Sequence, residues 1–301
     1  MADDDAVTSL EEHLAHDAQN IEISRRNLEH IFGRSEETID VLFRLFKELA
    51  QAYADEYYCA LQPELFELSE QFGVDPVELT NLLRQGALLG ADEREMKAQE
   101  QAIGQQGLLN SLWLLLKMDR DCRNAISQLL RLQMTQPMGH LRLQAEAAAL
   151  IVLFHEVPVL GRDWIDTLDP QAGRRFYTKH QRRIKEALKN LRIEDLYEQG
   201  STWALHVRPQ GIAGSVEMAG PDSPKKLDFS HQEFGRSPYE ASLFILEHLD
   251  SERRVLKSLV DNLPRLSDRP ELATAFEQLE ELKQEWGRAL SLHRRQNQPR
   301  G

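Results

Sequence analysis

Residues 137–154, PMGHLRLQAEAAALIVLF, decide the fold of this chain because they form its most hydrophobic segment. The run from Ala147 to Phe154 is apolar on every side of a helix, which is typical of a helix at the centre of a core. It is also far shorter than the roughly 20 apolar residues that a membrane-spanning helix needs. We therefore expect a buried central helix that Pro137 opens and Pro158 and Gly161 close.

Helical periodicity extends from this segment in both directions. Residues 108–134 are apolar on more than one side, which predicts a second buried helix beside the first. Apolar side chains recur three and four residues apart elsewhere, which is the helical spacing. The fold class is thus predicted to be all-α, a bundle of about ten helices. Further helices are expected over 10–31, 35–59, 170–191, 239–263 and 270–293.

The chain divides into three predicted regions. An N-terminal helical region covers 1–105, a central helical core covers 106–263, and a C-terminal amphipathic helix and tail cover 264–301. The core contains an irregular excursion at 207–238, which carries four glycines and four prolines. A loop of this length is unusual in a compact domain and is often functional. Short extended pieces at 212–218 and 226–229 predict a hairpin within it.

Composition limits the function classes. Apolar residues make up 41% and charged residues 28% of the chain, which is typical of a globular protein. The net charge of −13 argues against a surface built mainly for nucleic acid, so DNA is not an expected partner. Cys59 and Cys122 lie in no metal-binding or redox spacing, and the N-terminus is acidic. We expect reduced thiols, a cytoplasmic location and no membrane association.

One local stretch reverses the acidic character of the chain. Residues 170–191 alternate basic side chains with apolar ones at helical spacing. Two interpretations stay open: a solvated face that answers acidic neighbours, and a surface that contacts an anion or a nucleic acid. The basic residues of this stretch are Arg174, Arg175, Lys179, Arg182, Arg183, Lys185 and Lys189.

An Arg and a His on one helix form a second pattern. Arg175 and His180 have the Arg-x(4–6)-His spacing and lie on the basic stretch. That spacing resembles the signature of the helical nuclease family known as HEPN (higher eukaryotes and prokaryotes nucleotide-binding). The resemblance implies proton transfer by the His and phosphate contact by the Arg. The pairs Arg25–His30, Arg174–His180 and Arg288–His293 fit the same spacing.

A longer resemblance covers residues 137–214. Its elements are Arg142-x-x-x-Glu146 on the apolar helix, the basic helix, and then Tyr197, Ser201, Thr202 and His206 ahead of a loop. This order resembles uncharacterised prokaryotic helical proteins that are distantly similar to the HEPN and abortive-infection groups. The resemblance implies a protein that binds RNA or a protein partner, in stress or phage defence.

If the chain is an enzyme, the resemblance implies metal-independent RNA cleavage. His206 or His180 would then be the acid/base, and Arg142 or Arg175 would contact phosphate. Tyr197, Ser201, Thr202, Glu146, Lys179, Arg182 and Arg183 complete the expected binding surface.

The same residues have a structural interpretation. A His at a helix end can titrate near neutrality and serve as a general acid or base. Equally, Arg142 and Glu146 lie four residues apart and can form a partly buried pair. His206 or Tyr197 would then complete a structural hydrogen-bond network.

Two other function classes are weighed against RNA binding. A non-enzymatic scaffold would dimerise through the apolar face of the final helix, 270–293. A helix-turn-helix DNA regulator would use Val77 to Arg84, although two acidic residues near that helix's start would repel phosphate. No phosphate-binding loop, nucleophile elbow or metal-ligand cluster is found in the sequence, so neither a cofactor nor a metal is expected.

Overall fold

A computed structural model describes most of the chain. The described residues are 10–58, 69–70, 72–75, 78–79, 93–133, 135–165, 169–204, 216–218, 227–229, 238–263 and 265–297. They contain nine α-helices, and the predicted all-α class is confirmed. The helices are α1 (Leu10–Phe32), α2 (Ser35–Tyr53), α3 (Glu93–Leu130), α4 (Thr135–Glu156), α5 (Pro158–Ile165), α6 (Pro170–Asn190), α7 (Glu194–Ala204), α8 (Pro238–Asn262) and α9 (Pro270–Asn297).

Two short features depart from regular α-helix. A π-helical segment, Ala54–Tyr58, continues α2 beyond Tyr53. Two three-residue strands, β1 (Val216–Met218) and β2 (Leu227–Phe229), pair antiparallel with Glu217 opposite Asp228. Both strands lie within the stretches 212–218 and 226–229 that the sequence marks as extended.

The central position predicted for the apolar helix is confirmed. Residues 147 to 154 of α4 are each at most 7% exposed. Helix α4 packs against α3, α5, α6, α7 and α8, so five helices share one core around it. Pro158 begins α5 instead of merely ending α4, because a proline is well tolerated in the first turn of a helix.

Helices α3 and α5 approach each other at two glycines. A Cβ atom on Gly161 would lie 2.5 Å from the Gly107 Cα, and one on Gly107 would lie 2.8 Å from the Pro158 carbonyl oxygen. Asn110 closes the contact, since its Nδ2 donates to the Gly161 carbonyl oxygen at 2.6 Å. Only glycine allows the two backbones to come this close.

Helix α9 covers α2 and α1 of its own chain. Its apolar side chains are 1–7% exposed, and polar contacts flank them: Arg34 Nη1 donates to Glu285 at 2.9 Å and Arg44 Nη2 to Gln278 at 2.6 Å. The dimer predicted through this face is therefore corrected, because the face is already buried within the chain. The buried residues are Leu272, Phe276, Leu279, Leu282 and Trp286.

The remaining regional predictions meet the structure only in part. The boundary placed at residue 105 falls inside α3, which is continuous from Glu93 to Leu130, and the three-region division stays a prediction. Of the proposed helix-turn-helix reader, Glu78 and Leu79 are described, while Val77 and Arg84 lie outside the described residues. Across the described helices, none combines the length and the hydropathy needed to cross a bilayer.

Candidate functional site: a cleft between α4, α6 and α7

An open cleft of about 350 Å³ lies where α4, α6 and α7 meet. Helix α4 supplies charged groups to its wall, α6 supplies most of the remaining side chains, and α7 supplies one aromatic ring. The lining residues are Arg142, Leu143, Glu146, Tyr177, Thr178, Gln181, Ile184, Lys185, Leu188 and Tyr197. Three residues singled out from the sequence, Arg142, Glu146 and Tyr197, are thus brought together at one place.

Gly200 sets how closely α7 approaches α4 at the cleft. A Cβ atom at this position would lie 2.5 Å from the Met138 carbonyl oxygen and 2.7 Å from the Arg142 Cβ. Tyr197 lies one turn before Gly200 on the same helix, so the close approach brings its ring to Arg142. Ser201 Oγ donates to the Tyr197 carbonyl oxygen at 2.7 Å, within α7 itself.

Arg142 is the central cation of the cleft. Its Nη2 lies 3.7 Å from Glu146 Oε2 and donates to the Tyr197 hydroxyl at 3.3 Å. The guanidinium carbon lies 5.1 Å from the centre of the Tyr197 ring, a cation–π distance. Its Nε is buried and has no hydrogen-bond partner among the described groups. Arg142 therefore retains an unused donor.

Glu146 is the acid of the cleft, and only 14% of its side chain is exposed. Burial raises the pKa of this carboxyl above its ordinary value, and the Arg142 charge and a hydrogen bond from Tyr177 only partly oppose the effect. Burial and the nearby Glu146 charge raise the pKa of Tyr177 to about 12, so its phenol stays a neutral donor. The carboxyl and the phenol form one coupled pair across α4 and α6.

The α6 side of the cleft continues into an exposed cationic face. Arg174, Thr178, Gln181 and Lys185 follow one another at helical spacings of four, three and four, so they share one side of α6. Arg182 pairs with Glu186 at 3.1 Å and Lys189 approaches Glu194 at 3.8 Å.

Most cations of this face have no such partner. We call the exposed side chains of Arg174, Arg175, Lys179, Arg182, Arg183, Lys185 and Lys189 the basic face of α6. Counting only carboxylates that the structure describes, none lies within ion-pair distance of Arg174, Arg175, Lys179, Arg183 or Lys185.

Of the two predicted histidines, the structure describes only His180, which does not line the cleft. His180 is 7% exposed, and its ring centre lies 4.7 Å from that of Phe176. Burial lowers the pKa of His180, and the charges of Lys179 and Arg183 lower it further. His180 thus lies in a buried setting and not in the open setting that a general acid or base needs to reach a substrate. His206 lies outside the described residues.

The other predicted site residues divide into two groups. Arg175, Lys179, Arg182 and Arg183 lie on the basic face of α6. Ser201 and Thr202 are partly exposed on α7, where Ser201 is engaged by its own helix.

Sequence reasoning missed Tyr177 and Gln181 as members of the site. The helical pattern of residues 170–191 places Tyr177 among the apolar residues of that helix, although its hydroxyl contacts Glu146. The sequence pattern that could have identified these residues is the four-residue spacing of Tyr177, Gln181 and Lys185, which places all three on one side of a helix. That spacing identifies a shared side, but only tertiary packing shows that the side faces α4.

In the part of the chain that the structure covers, no group of three His, Cys, Asp or Glu residues is arranged to hold a metal ion. A second cleft lies at the α6–α7 turn against α8, and three of its four cations, Arg253, Arg254 and Lys257, are each paired with a carboxylate. The cleft at Arg142 is the stronger candidate because it brings together Arg142, Glu146 and Tyr197.

Comparison with known proteins adds no relative. No protein-family model, no curated protein and no solved structure matches the chain.

Proposed function

We propose that this chain is a cytoplasmic, HEPN-like RNA-binding protein that acts in stress or phage defence. Its contact with single-stranded RNA is made through the basic face of α6. The observation that carries the proposal is charge segregation. Helix α6 holds seven Lys or Arg residues and one acidic residue, within a chain whose net charge is −13.

The segregation has a direct consequence for binding. Phosphates that meet clustered Lys and Arg side chains release counterions, and this release drives association. Acidic surface elsewhere on the chain repels the same phosphates, which confines contact to α6. The amphipathic build of α6 supports this role, since Phe176, Ile184 and Leu188 anchor the opposite side in the core. The helix thus presents its cations on a rigid support.

The geometry favours binding over cleavage. The buried ring of His180 cannot reach a scissile phosphate without a rearrangement of α6. Cleavage would then depend on His206. An RNA-cleavage assay in EDTA, run beside an RNA-binding assay, separates cleavage from binding. A His206→Ala variant that binds RNA but has lost cleavage would establish catalysis by that residue.

The proposal is tested by fluorescence anisotropy with a labelled single-stranded RNA at two or more salt concentrations. A Lys179→Gln, Arg182→Gln, Arg183→Gln variant should bind at least about tenfold more weakly, with a shallower dependence on salt. The matched control removes three exposed cations elsewhere, in the variant Lys47→Gln, Arg120→Gln, Arg288→Gln, and should bind almost as tightly as the wild type.

Equal losses in both variants would mean that only net charge matters, and absence of binding by the wild type would reject the proposal. Duplex DNA of matched length serves as competitor. Stronger competition by DNA than by RNA would favour the helix-turn-helix alternative over the α6 surface.

A second candidate, a non-enzymatic interaction protein, has one observation in its favour. Trp113 and Leu116 lie three residues apart on α3 and are 58% and 55% exposed. Large apolar side chains exposed together are typical of a protein contact. A Trp113→Ser, Leu116→Ser variant would then lose self-association in sedimentation velocity while keeping RNA affinity.

A further inference from the structure

We infer that the cleft between α4, α6 and α7 binds a single guanine base, either of a free nucleotide or of an RNA strand. The RNA source rests on the proposed function, whereas the free-nucleotide source does not. The inference follows from the size of the cleft, the order of its polar groups and its position beside the basic face of α6.

The cleft has the size of a one-base site. Its volume of about 350 Å³ lies near the lower end of the range for small-molecule pockets, roughly 300–1,000 Å³. Apolar side chains, Leu143, Ile184 and Leu188, form part of the wall. A longer oligonucleotide would not fit inside, so any strand would continue along the surface of α6.

The polar groups of the cleft match the edge of guanine. Glu146 offers carboxylate oxygens as acceptors, and 14% of its side chain is exposed. Guanine is the nucleobase in which a ring N–H and an exocyclic amino group stand side by side, so both can donate to one carboxylate. Arg142 lines the cleft beside Glu146, and its guanidinium is a donor next to the acceptor that suits guanine O6.

The other bases meet this arrangement less well. Adenine and cytosine each present one amino donor beside an unprotonated ring nitrogen, and uracil presents a single ring N–H between two carbonyls. Each would offer the Glu146 carboxylate one donor where guanine offers two. Because fewer hydrogen bonds would then compensate the partly buried carboxylate, the cleft should discriminate against them.

Aromatic surface and cations supply the remaining contacts. Tyr177 and Tyr197 line the cleft, and unstacked bases gain binding free energy from stacking on such rings. Lys185 lies on the rim, and Arg174 shares its side of α6. A phosphate attached to a bound guanosine would meet these cations without entering the cleft.

The test begins with the wild type and needs no variant. Isothermal titration with GMP, IMP and AMP should give the tightest binding for GMP. IMP lacks the exocyclic amino group and should bind about tenfold or more weakly, as expected for loss of one arm of a bidentate contact. Equal affinity for GMP and AMP would overturn the inference.

Two variants then assign the binding to the cleft. Glu146→Gln should lower GMP affinity at least about tenfold, since it replaces one acceptor with a donor. Tyr197→Phe removes the hydroxyl that receives the Arg142 hydrogen bond and provides a second variant if the first is unstable. The α6 variant Lys179→Gln, Arg182→Gln, Arg183→Gln lies away from the cleft and should keep GMP binding.

A second experiment tests whether the cleft binds guanine only when the base belongs to an RNA strand. Short oligonucleotides that differ at one position, G against A, C or U, are compared by anisotropy with wild type and Glu146→Gln. A preference for G that Glu146→Gln removes would support a base site in RNA. Absence of both GMP binding and G preference would overturn the inference. GMP binding without RNA binding would reject the proposed function alone.

Discussion

His155 lies near the end of α4, where its Nε2 is 2.8 Å from the Tyr53 hydroxyl. Burial lowers the pKa of this imidazole from its ordinary 6.5 to about 4. A lowered pKa means that the folded state favours the neutral form of His155. With respect to this group, the folded protein therefore has its full stability above about pH 6.5. As pH falls from about 6.5 to about 4, up to about 3 kcal/mol of unfolding free energy should be lost.

The variant His155→Gln tests this expectation, since it keeps a polar partner for Tyr53 but does not titrate. Urea unfolding of both proteins across this window should show a smaller pH-dependent loss in the variant. An identical loss in the two proteins would assign the acid sensitivity to other groups.

Gly200 and Gly287 give a matched pair of substitutions within helices. Gly200→Ala places a Cβ 2.5 Å from the Met138 carbonyl oxygen and should cost about 1–3 kcal/mol of unfolding free energy. Gly287→Ala meets nothing within 4 Å and should stabilise α9 by about 0.5–1 kcal/mol. Thermal or urea unfolding measures both, and a gain in stability for Gly200→Ala would mean that α7 packs less closely than the structure shows.

The sequence patterns predicted some residues of the candidate site but not all of them. The four-residue spacing of Arg142 and Glu146 was enough to expect a partly buried pair with Tyr197 as a partner, and those contacts are present. The contact of Tyr177 with Glu146 was not predicted, because the two residues lie 31 positions apart and local spacing carries no information about contacts between two helices. The burial of His180 was not predicted either, because in a basic stretch the sequence pattern does not show which polar residue faces the core.

Helix α9 contributes side chains to the hydrophobic core and not a surface for a partner. Leu279 is 2% exposed, so Leu279→Ala should cost about 2–5 kcal/mol of unfolding free energy through the cavity that it leaves. Because the side chain packs within its own chain, the urea midpoint of both proteins should not change with protein concentration. A midpoint that rises with concentration in the wild type would restore the dimer hypothesis for this helix.

The starts of two helices followed from the sequence because a proline stood between periodic segments. Pro170 and Pro270 begin α6 and α9 as expected. The expectation was least accurate at Pro158, which a linear pattern presents as a stop although it begins α5. Proline ends one helix and begins the next with equal ease, and only the following residues decide which occurs.

For the whole molecule, composition and periodicity were sufficient for the all-α class but not for the arrangement of its helices. Helices near the two ends of the chain, α2 and α9, pack together, although the sequence placed them in separate regions. Contacts between positions such as Arg34 and Glu285 have no counterpart in local patterning. The charge of −13 likewise describes the chain as a whole, whereas the surface of α6 has the opposite sign.

The crossing of α3 and α5 limits how this chain can change over evolutionary time. Gly107 and Gly161 each occupy a place where the first carbon of any side chain would collide with backbone, not with a side chain that could move aside. Selection should therefore remove substitutions at either glycine, while residues of similar volume replace one another at the neighbouring apolar positions. Homologous chains that keep this fold should carry glycine at both positions, and a lineage that loses one should also show a displaced α5.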